Sequence, residues 1–463
     1  MTQRPVIVVG GGMTGLAAAW ELQSQGVPYV LLEAGDNLGG KVQTLHTEDG
    51  FLVERAADAF ILGKPYALEL AREVGLEPEL IHPRPETKRL YFLKGGRLLD
   101  FPRELKMFVP LDDDAFRESV VLSPEGTERF LAEVDVPPKA PTDEDESLAS
   151  FMSRRFGEEA LNFIVPMAAG IYVANPHELS MQAAFPQFLK MEQDHGSLIR
   201  GSRATPRAQG PIFGSFRDGM NALPQAVAAR LTGDIRLKTR VAQVRPDGVR
   251  LEGGTELRGR AVLVTVPAWH AAPMLAAHFP DAAARVGELN ANGSVAVTLA
   301  YRADQIPFDM NTHGLQVDAS EGIAMTAVTV HSSKLAGRAP EGAVLLRVFF
   351  KDLDPQKALA EAVLEVARLF GAGIGEAADG GEQALGPFWQ VLGRHDAAEA
   401  HVLLGRVQRL IGVVEGAHHR VPSAGGEASD GRADRKRWRW NRGAAPDPGI
   451  FADKRCRRQD LDG

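Results

Sequence analysis

A short apolar run that opens onto three glycines constrains this chain more than any other feature. Val6-Ile7-Val8-Val9 carries no polar break and reads as a parallel strand buried on both faces. Gly10, Gly12 and Gly15 follow in the spacing G-x-G-x-x-G, with Met13 and Thr14 between the last two. In such a run the first glycine permits a tight turn and the second lets backbone approach a diphosphate. The third lets the next helix pack close to the strand. Residues 16–22 are rich in Ala and Leu and continue as that helix, Gly26 ends it, and Tyr29-Val30-Leu31-Leu32 forms a second strand with Glu33 at its end. Unpaired N–H groups at the helix start suit a diphosphate. An acid in the place of Glu33 accepts from ribose hydroxyls and repels a 2′-phosphate. Strand, glycines, helix, strand and acid in this order define a Rossmann-type dinucleotide site rather than a chance glycine turn.

Composition bounds what surrounds that unit. A chain of 463 residues exceeds one compact core, so two or three domains are expected. The formal net charge of −8 argues against bulk nucleic-acid binding. The single cysteine, Cys456, allows no disulfide within the chain and fits a reducing compartment. No stretch reads as a secretory leader or as a membrane span, so a cytoplasmic protein is expected, with membrane contact at most peripheral, on the inner face. No metal-ligating constellation stands out.

The continuation Glu33-Ala34-x-x-x-x-Gly39-Gly40-Lys41-x-x-Thr44 resembles the signature of the flavin amine oxidase and porphyrinogen oxidase superfamily, which binds FAD. Lys41 stands where arginine is usual. Three later stretches sharpen the resemblance. Glu54-Arg55-Ala56-Ala57-Asp58-Ala59-Phe60 is similar to a Gly-Pro-Asp-Ser-like loop under the flavin, with Ala56-Ala57 replacing the Gly-Pro pair. Gly170-Ile171-Tyr172-Val173-Ala174-Asn175-Pro176-His177-Glu178-Leu179-Ser180 resembles a segment of protoporphyrinogen and coproporphyrinogen III oxidases. The run Ser332-Ser333-Lys334…Arg338-Ala339-Pro340-Glu341-Gly342…Leu345-Leu346-Arg347 does so again.

The resemblance implies an FAD enzyme that oxidises a porphyrinogen to the porphyrin, with molecular oxygen as acceptor, in heme biosynthesis. It implies flavin contacts at Gly10, Gly12, Met13, Thr14, Gly15, Glu33, Ala34, Gly40, Lys41, Ala57 and Asp58, and adenine contact through the backbone at Val241. Gly170 would lie against the porphyrinogen, and Lys64 could hold one of its carboxylates. No catalytic side chain is implied, because the flavin accepts the electrons and the protein orients the reactants. Coproporphyrinogen III and protoporphyrinogen IX both remain open. So do another flavin oxidase, acting on amines or carotenoid precursors, and a chain that no longer holds FAD.

The expected architecture is α/β, with a Rossmann-type FAD-binding domain, a mixed-sheet substrate domain and a helical subdomain. Residues 1–85 and 205–285 would form the FAD-binding domain, 86–204 the helical subdomain, and 286–385 the substrate domain. Within these, 86–104 reads as a hairpin, 101–135 as helical with exposed apolar positions that could touch a membrane, and 356–370 as a helix. A helix is expected to end at a turn containing Gly170, with Ser180 available to cap the next. Residues 261–267 read as a buried parallel strand, and His331 as a strand residue. From 386 to 463 the pattern of the family is lost. Residues 431–463 hold ten Lys/Arg against five Asp/Glu, with Trp438 and Trp440 among them, and read as a disordered, replaced or frame-shifted tail.

Overall fold

The computed structural model describes residues 4–140, 144–172, 174–206, 210–289, 291, 293–351, 353–371 and 389–392. Its first sheet is parallel throughout, in the order Asp234–Arg236, Tyr29–Leu32, Val6–Val9, Ala261–Val264. Successive side chains on a strand face opposite ways, and the packing follows that rule. Val8 and Leu31 join Leu16 and Ala19 of helix Met13–Ser24 on one face. Ile7, Val9 and Leu32 meet Val241 and Val249 on the other. An all-apolar strand is needed because both faces are covered. The strand Ala261–Val264 has the expected direction but not the expected burial. It is the outermost strand of this sheet, its residues alternate between exposed and half-buried, and Leu263 is 39% exposed.

A second sheet has seven strands, in the order Trp389–Leu392, Ser294–Arg302, Ala343–Lys351, Met325–Val330, Gly314–Val317, Leu90–Lys94, Arg97–Asp100. Only the pairing of Gly314–Val317 with Leu90–Lys94 is parallel. Helix Pro355–Phe370 covers it with Ala358, Leu359, Ala362, Val363, Val366 and Phe370, the stripe that a 3.6-residue period places on one face. Asp354 caps the helix start by accepting from the Gln356 and Lys357 N–H groups. Gly371, at φ +65°, stops it in a left-handed conformation.

Between these sheets in sequence lies a helical unit built around phenylalanines. Phe92, Phe108, Phe116, Phe130, Phe156 and Phe163 are buried together, with the Phe130 and Phe156 ring centroids 4.3 Å apart. This corrects the expectation for 101–135. Leu105–Lys106 and Val109–Pro110 pair as a short hairpin, and helix is confined to Asp113–Glu118 and Pro124–Leu131, with one 3₁₀ turn at Ala132–Asp135. Phe108, Val109, Phe130 and Leu131 face the core, so they offer nothing to a membrane. Strands of two residues each are too short to show an alternation, so the apolar spacing of this stretch reads as helical. Gly170 also departs from expectation, since helix Ala160–Tyr172 runs through it. Ser180 does cap the next helix, accepting from the Ala183 N–H at 2.9 Å. Among the described residues no helix is long and apolar enough to cross a membrane. The anomalous stretch 386–463 lies outside the described residues apart from Trp389–Leu392.

The helical unit is tied together by a fully buried ion pair. Arg155 donates to Glu133 and to the carbonyls of Val136 (2.9 Å) and Gly196 (3.0 Å). Glu133 also accepts from the N–H groups of Leu198 (2.9 Å) and Ile199 (3.1 Å) at the start of helix Leu198–Ala204. Removing one partner strands a buried charge and several backbone groups. Arg155→Ala is therefore expected to cost about 3–5 kcal/mol, read as a lowered urea midpoint.

Candidate functional site

The glycines of the first turn do three different jobs. Gly10 sits at φ +110° with its N–H on the Leu32 carbonyl, so the chain turns sharply off the strand. A Cβ on Gly15 would fall on the Gly10 carbonyl oxygen, far inside contact distance. A Cβ on Gly12 would meet nothing nearer than the Gly40 Cα at 3.9 Å, so its side of the loop is open. Gly12 is the N-cap residue of helix Met13–Ser24 and carries no side chain to claim the first N–H groups. Those groups and the helix dipole are left for an anion. Met13 is half-buried and Thr14 is exposed at this helix start.

The second pair of glycines presses on the first. The Gly39 N–H donates to the Gly11 carbonyl at 2.9 Å, and Gly12 and Gly39 form an isolated parallel bridge. A Cβ on Gly40, which has φ +60°, would lie 3.0 Å from the Gly12 Cα. Lys41 leaves this turn exposed, its Nζ 5.0 Å from the centre of the Trp269 ring. Glu33 is held from both sides: Oε2 accepts from the Gly11 N–H at 2.6 Å and Oε1 from the Gly35 N–H at 2.7 Å. Each carboxylate oxygen keeps a further lone pair for a hydroxyl donor. Ala34 beside it is exposed. Val241 is a buried strand valine that packs with Ile7, Val9 and Leu32. Asn221 was not foreseen. Its N–H donates to Thr44 Oγ1 at 3.1 Å, and its Oδ1 is buried without a partner among the described residues. A Cβ on Gly39 would stand 3.2 Å from that oxygen. An open glycine face, uncapped N–H groups and an orphaned acceptor suit a dinucleotide with ribose hydroxyls.

A buried charge cluster lies beyond the cradle. Asp58 sits 3.0 Å from Lys334 Nζ, 3.7 Å from Arg347 Nη1 and 3.8 Å from His331 Nε2. Burial alone would raise the Asp58 carboxyl, but the Lys334 ammonium and the Arg347 guanidinium outweigh it and hold it well below the usual carboxylate range. Arg347 also donates to the Ala56 carbonyl at 2.6 Å, while Ala57 is exposed. Two residues earlier in the same segment as Ala56, Glu54 accepts from Thr44 Oγ1 and the Met220 N–H, both at 2.8 Å, and faces Arg338 at 3.8 Å. Arg338 in turn donates to Ser215 Oγ (2.9 Å) and to the carbonyls of Phe216 (2.9 Å) and Arg217 (3.0 Å). The Asp58 carboxylate is thus taken up by cations of the 331–347 segment. What it does here is pin the loop.

His331 is not a strand residue. It starts the helical turn His331–Lys334 and is fully buried, with neither ring nitrogen hydrogen-bonded among the described residues. Burial pushes its pKa well below the ordinary histidine value, so the ring is neutral. Lys64 is exposed, its N–H on the Ile61 carbonyl at 3.2 Å. Ile61 pairs with Phe213, and both are 40% exposed. Gly170 lies in helix Ala160–Tyr172, apart in sequence from all of these.

Cradle and parallel sheet together define a Rossmann-type dinucleotide-binding fold. Residues 13–390 match the family of flavin containing amine oxidoreductases, and the chain belongs to that family, whose cofactor is FAD. It is 32% identical over 387 residues to a coproporphyrinogen III oxidase of Propionibacterium freudenreichii subsp. freudenreichii, covering 75% of this chain and 72% of that one. It is 30% identical over 368 residues to a coproporphyrinogen III oxidase of Bacillus subtilis (strain 168), covering 75% and 77%. A crystal structure from Exiguobacterium sp. 255-15, provisionally named a protoporphyrinogen oxidase, superposes with a TM-score of 0.72 at 27% identity, covering 85% of this chain and 87% of that one.

The Asp58 cluster makes a pH-dependent prediction. A carboxyl whose folded pKa is depressed stabilises the fold above its unfolded value, about 4, and that contribution is lost as pH falls toward the folded value. Asp58→Asn is expected to lower stability by about 3 kcal/mol at pH 7. The gap between variant and wild type should narrow as urea melts are repeated at falling pH. A gap that stays constant down to pH 3 would contradict the arrangement.

Proposed function

We propose that this chain oxidises a porphyrinogen to the porphyrin with FAD, in heme biosynthesis, and that coproporphyrinogen III is its substrate. The observation that carries this reading is the similarity to coproporphyrinogen III oxidases over three quarters of the chain. Within the chain, Gly10, Gly12, Met13, Thr14, Gly15 and Gly40 would cradle the diphosphate. Glu33, beside Ala34, would take the ribose, and Lys41 would meet the negative charge. The backbone at Val241 would meet the adenine. Asp58, with Ala57, would fix the flavin loop through Lys334 and Arg347 rather than touch the cofactor with its own carboxylate. Lys64 would pair with a substrate carboxylate beside the apolar Ile61 and Phe213, and Gly170 would let helix backbone approach the macrocycle.

FAD supplies the electron acceptor for six hydrogens, removed two at a time. With oxygen as terminal acceptor, each porphyrin formed would reduce three O₂ to three H₂O₂. The reading places the protein in the cytoplasm, which suits its single cysteine, with any membrane contact peripheral. The test uses the purified full-length chain with FAD and chemically reduced coproporphyrinogen III or protoporphyrinogen IX, followed by porphyrin fluorescence and a peroxide dye. The expected result is porphyrin formation well above the spontaneous rate, faster from coproporphyrinogen III, with three peroxides per porphyrin. A flavin-loaded protein that forms no porphyrin above background, or that makes peroxide from amines instead, would overturn it.

A further inference from the structure

Lys41 and Trp269 reach one another from two segments that both border the first glycine turn. Lys41 follows the Gly39-Gly40 turn that is bonded to Gly11 and bridged to Gly12. Trp269 is the second residue of helix Ala268–Leu275, which follows the strand Ala261–Val264. On the way, the Thr265 N–H donates to the Val9 carbonyl at 2.9 Å and Thr265 Oγ1 to the Gly10 carbonyl at 3.1 Å. A Cβ on Gly10 would stand 2.9 Å from the Val266 side chain. The Lys41 ammonium therefore lies 5.0 Å from the centre of the Trp269 ring at the rim of the cradle. Among the described residues no carboxylate pairs with Lys41. Trp269 is 47% exposed, so its ring face is open to the ammonium.

We propose that Trp269 is a positioning residue for the cofactor's diphosphate, acting by holding the Lys41 ammonium at the mouth of the glycine cradle. Lysine is a point charge on a flexible stem, whereas arginine presents a planar, pre-organised fork. A cation held over an indole face loses part of that freedom before the anion arrives, and pre-organisation is returned as affinity. The ring thus supplies to a lysine the order that an arginine in the same place would bring with it. No bond is made or broken in this role. The proposal rests on the FAD reading and is independent of which substrate is oxidised.

The test is a double-mutant cycle on FAD affinity, with the flavin-stripped full-length protein titrated with FAD. Trp269→Leu is expected to weaken binding about two- to fivefold, the size of an exposed cation–π contact. In a Lys41→Met background the same substitution should change affinity hardly at all, because the group it positions is gone. Trp269→Phe, which keeps an aromatic face, should recover part of the loss. Thermal melting of the FAD-free Trp269→Leu protein should match wild type, since the ring is half exposed. Equal losses in both backgrounds, or none in either, would overturn the proposal while leaving the cofactor reading intact. A wild-type chain that takes up no FAD would overturn both.

Discussion

Everything in the nucleotide-binding part depends on backbone meeting backbone without side chains between. The Gly15 position lies so close to the Gly10 carbonyl that any β-carbon would occupy the oxygen. Helix Met13–Ser24 can therefore press onto the strand that precedes it, and its uncapped N-terminus points where the turn leaves open space. The Gly39-Gly40 turn repeats the same device against Gly11 and Gly12. Glu33 then locks the arrangement by accepting from Gly11 and Gly35. A site built this way is shaped before the ligand arrives, because the atoms that would line it are fixed by covalent geometry and the sheet.

The second constraint is electrostatic and runs between distant parts of the chain. Glu54 and Asp58 meet Arg338, Lys334 and Arg347; Glu54, Arg338 and Arg347 are buried, and Asp58 and Lys334 are half-buried. Buried carboxylates of this kind persist only when cations and hydrogen bonds replace the water they lost. The cluster fixes the segment after the cradle against the mixed sheet, whose strand Ala343–Lys351 carries Arg347. The loop therefore keeps its shape through charges supplied from nearly three hundred residues away, while Ala57 within it stays exposed.

The β-α-β unit was legible because its signals are local. Val6–Val9, the three glycines and Tyr29–Leu32 each dictate their own conformation, and the parallel register follows. Helix Pro355–Phe370 was legible for the same reason, with its apolar stripe and Gly371 stop. The segment 101–111 was not, because its paired strands Leu105–Lys106 and Val109–Pro110 are two residues each, too short to show the alternation that marks a strand. His331 was misplaced by one residue: the β-branched run that precedes it ends at Val330 and a helical turn begins. Resemblance marked the run from Ser332 to Arg347 as a family feature, but only the fold shows that Lys334 and Arg347 converge on Asp58 while Arg338 faces Glu54. Asn221 carried no sequence signal at all, since an orphaned acceptor is a property of its surroundings.

Whether the glycine cradle holds FAD is measured directly by flavin released and counted per chain from purified full-length protein, with Gly15→Ala prepared in parallel. Close to one FAD per wild-type chain is expected, with a large loss in the variant, whose added methyl would push the helix start away from the turn. A wild-type chain that stays empty when FAD is supplied, or a Gly15→Ala chain that binds as much as wild type, would contradict it.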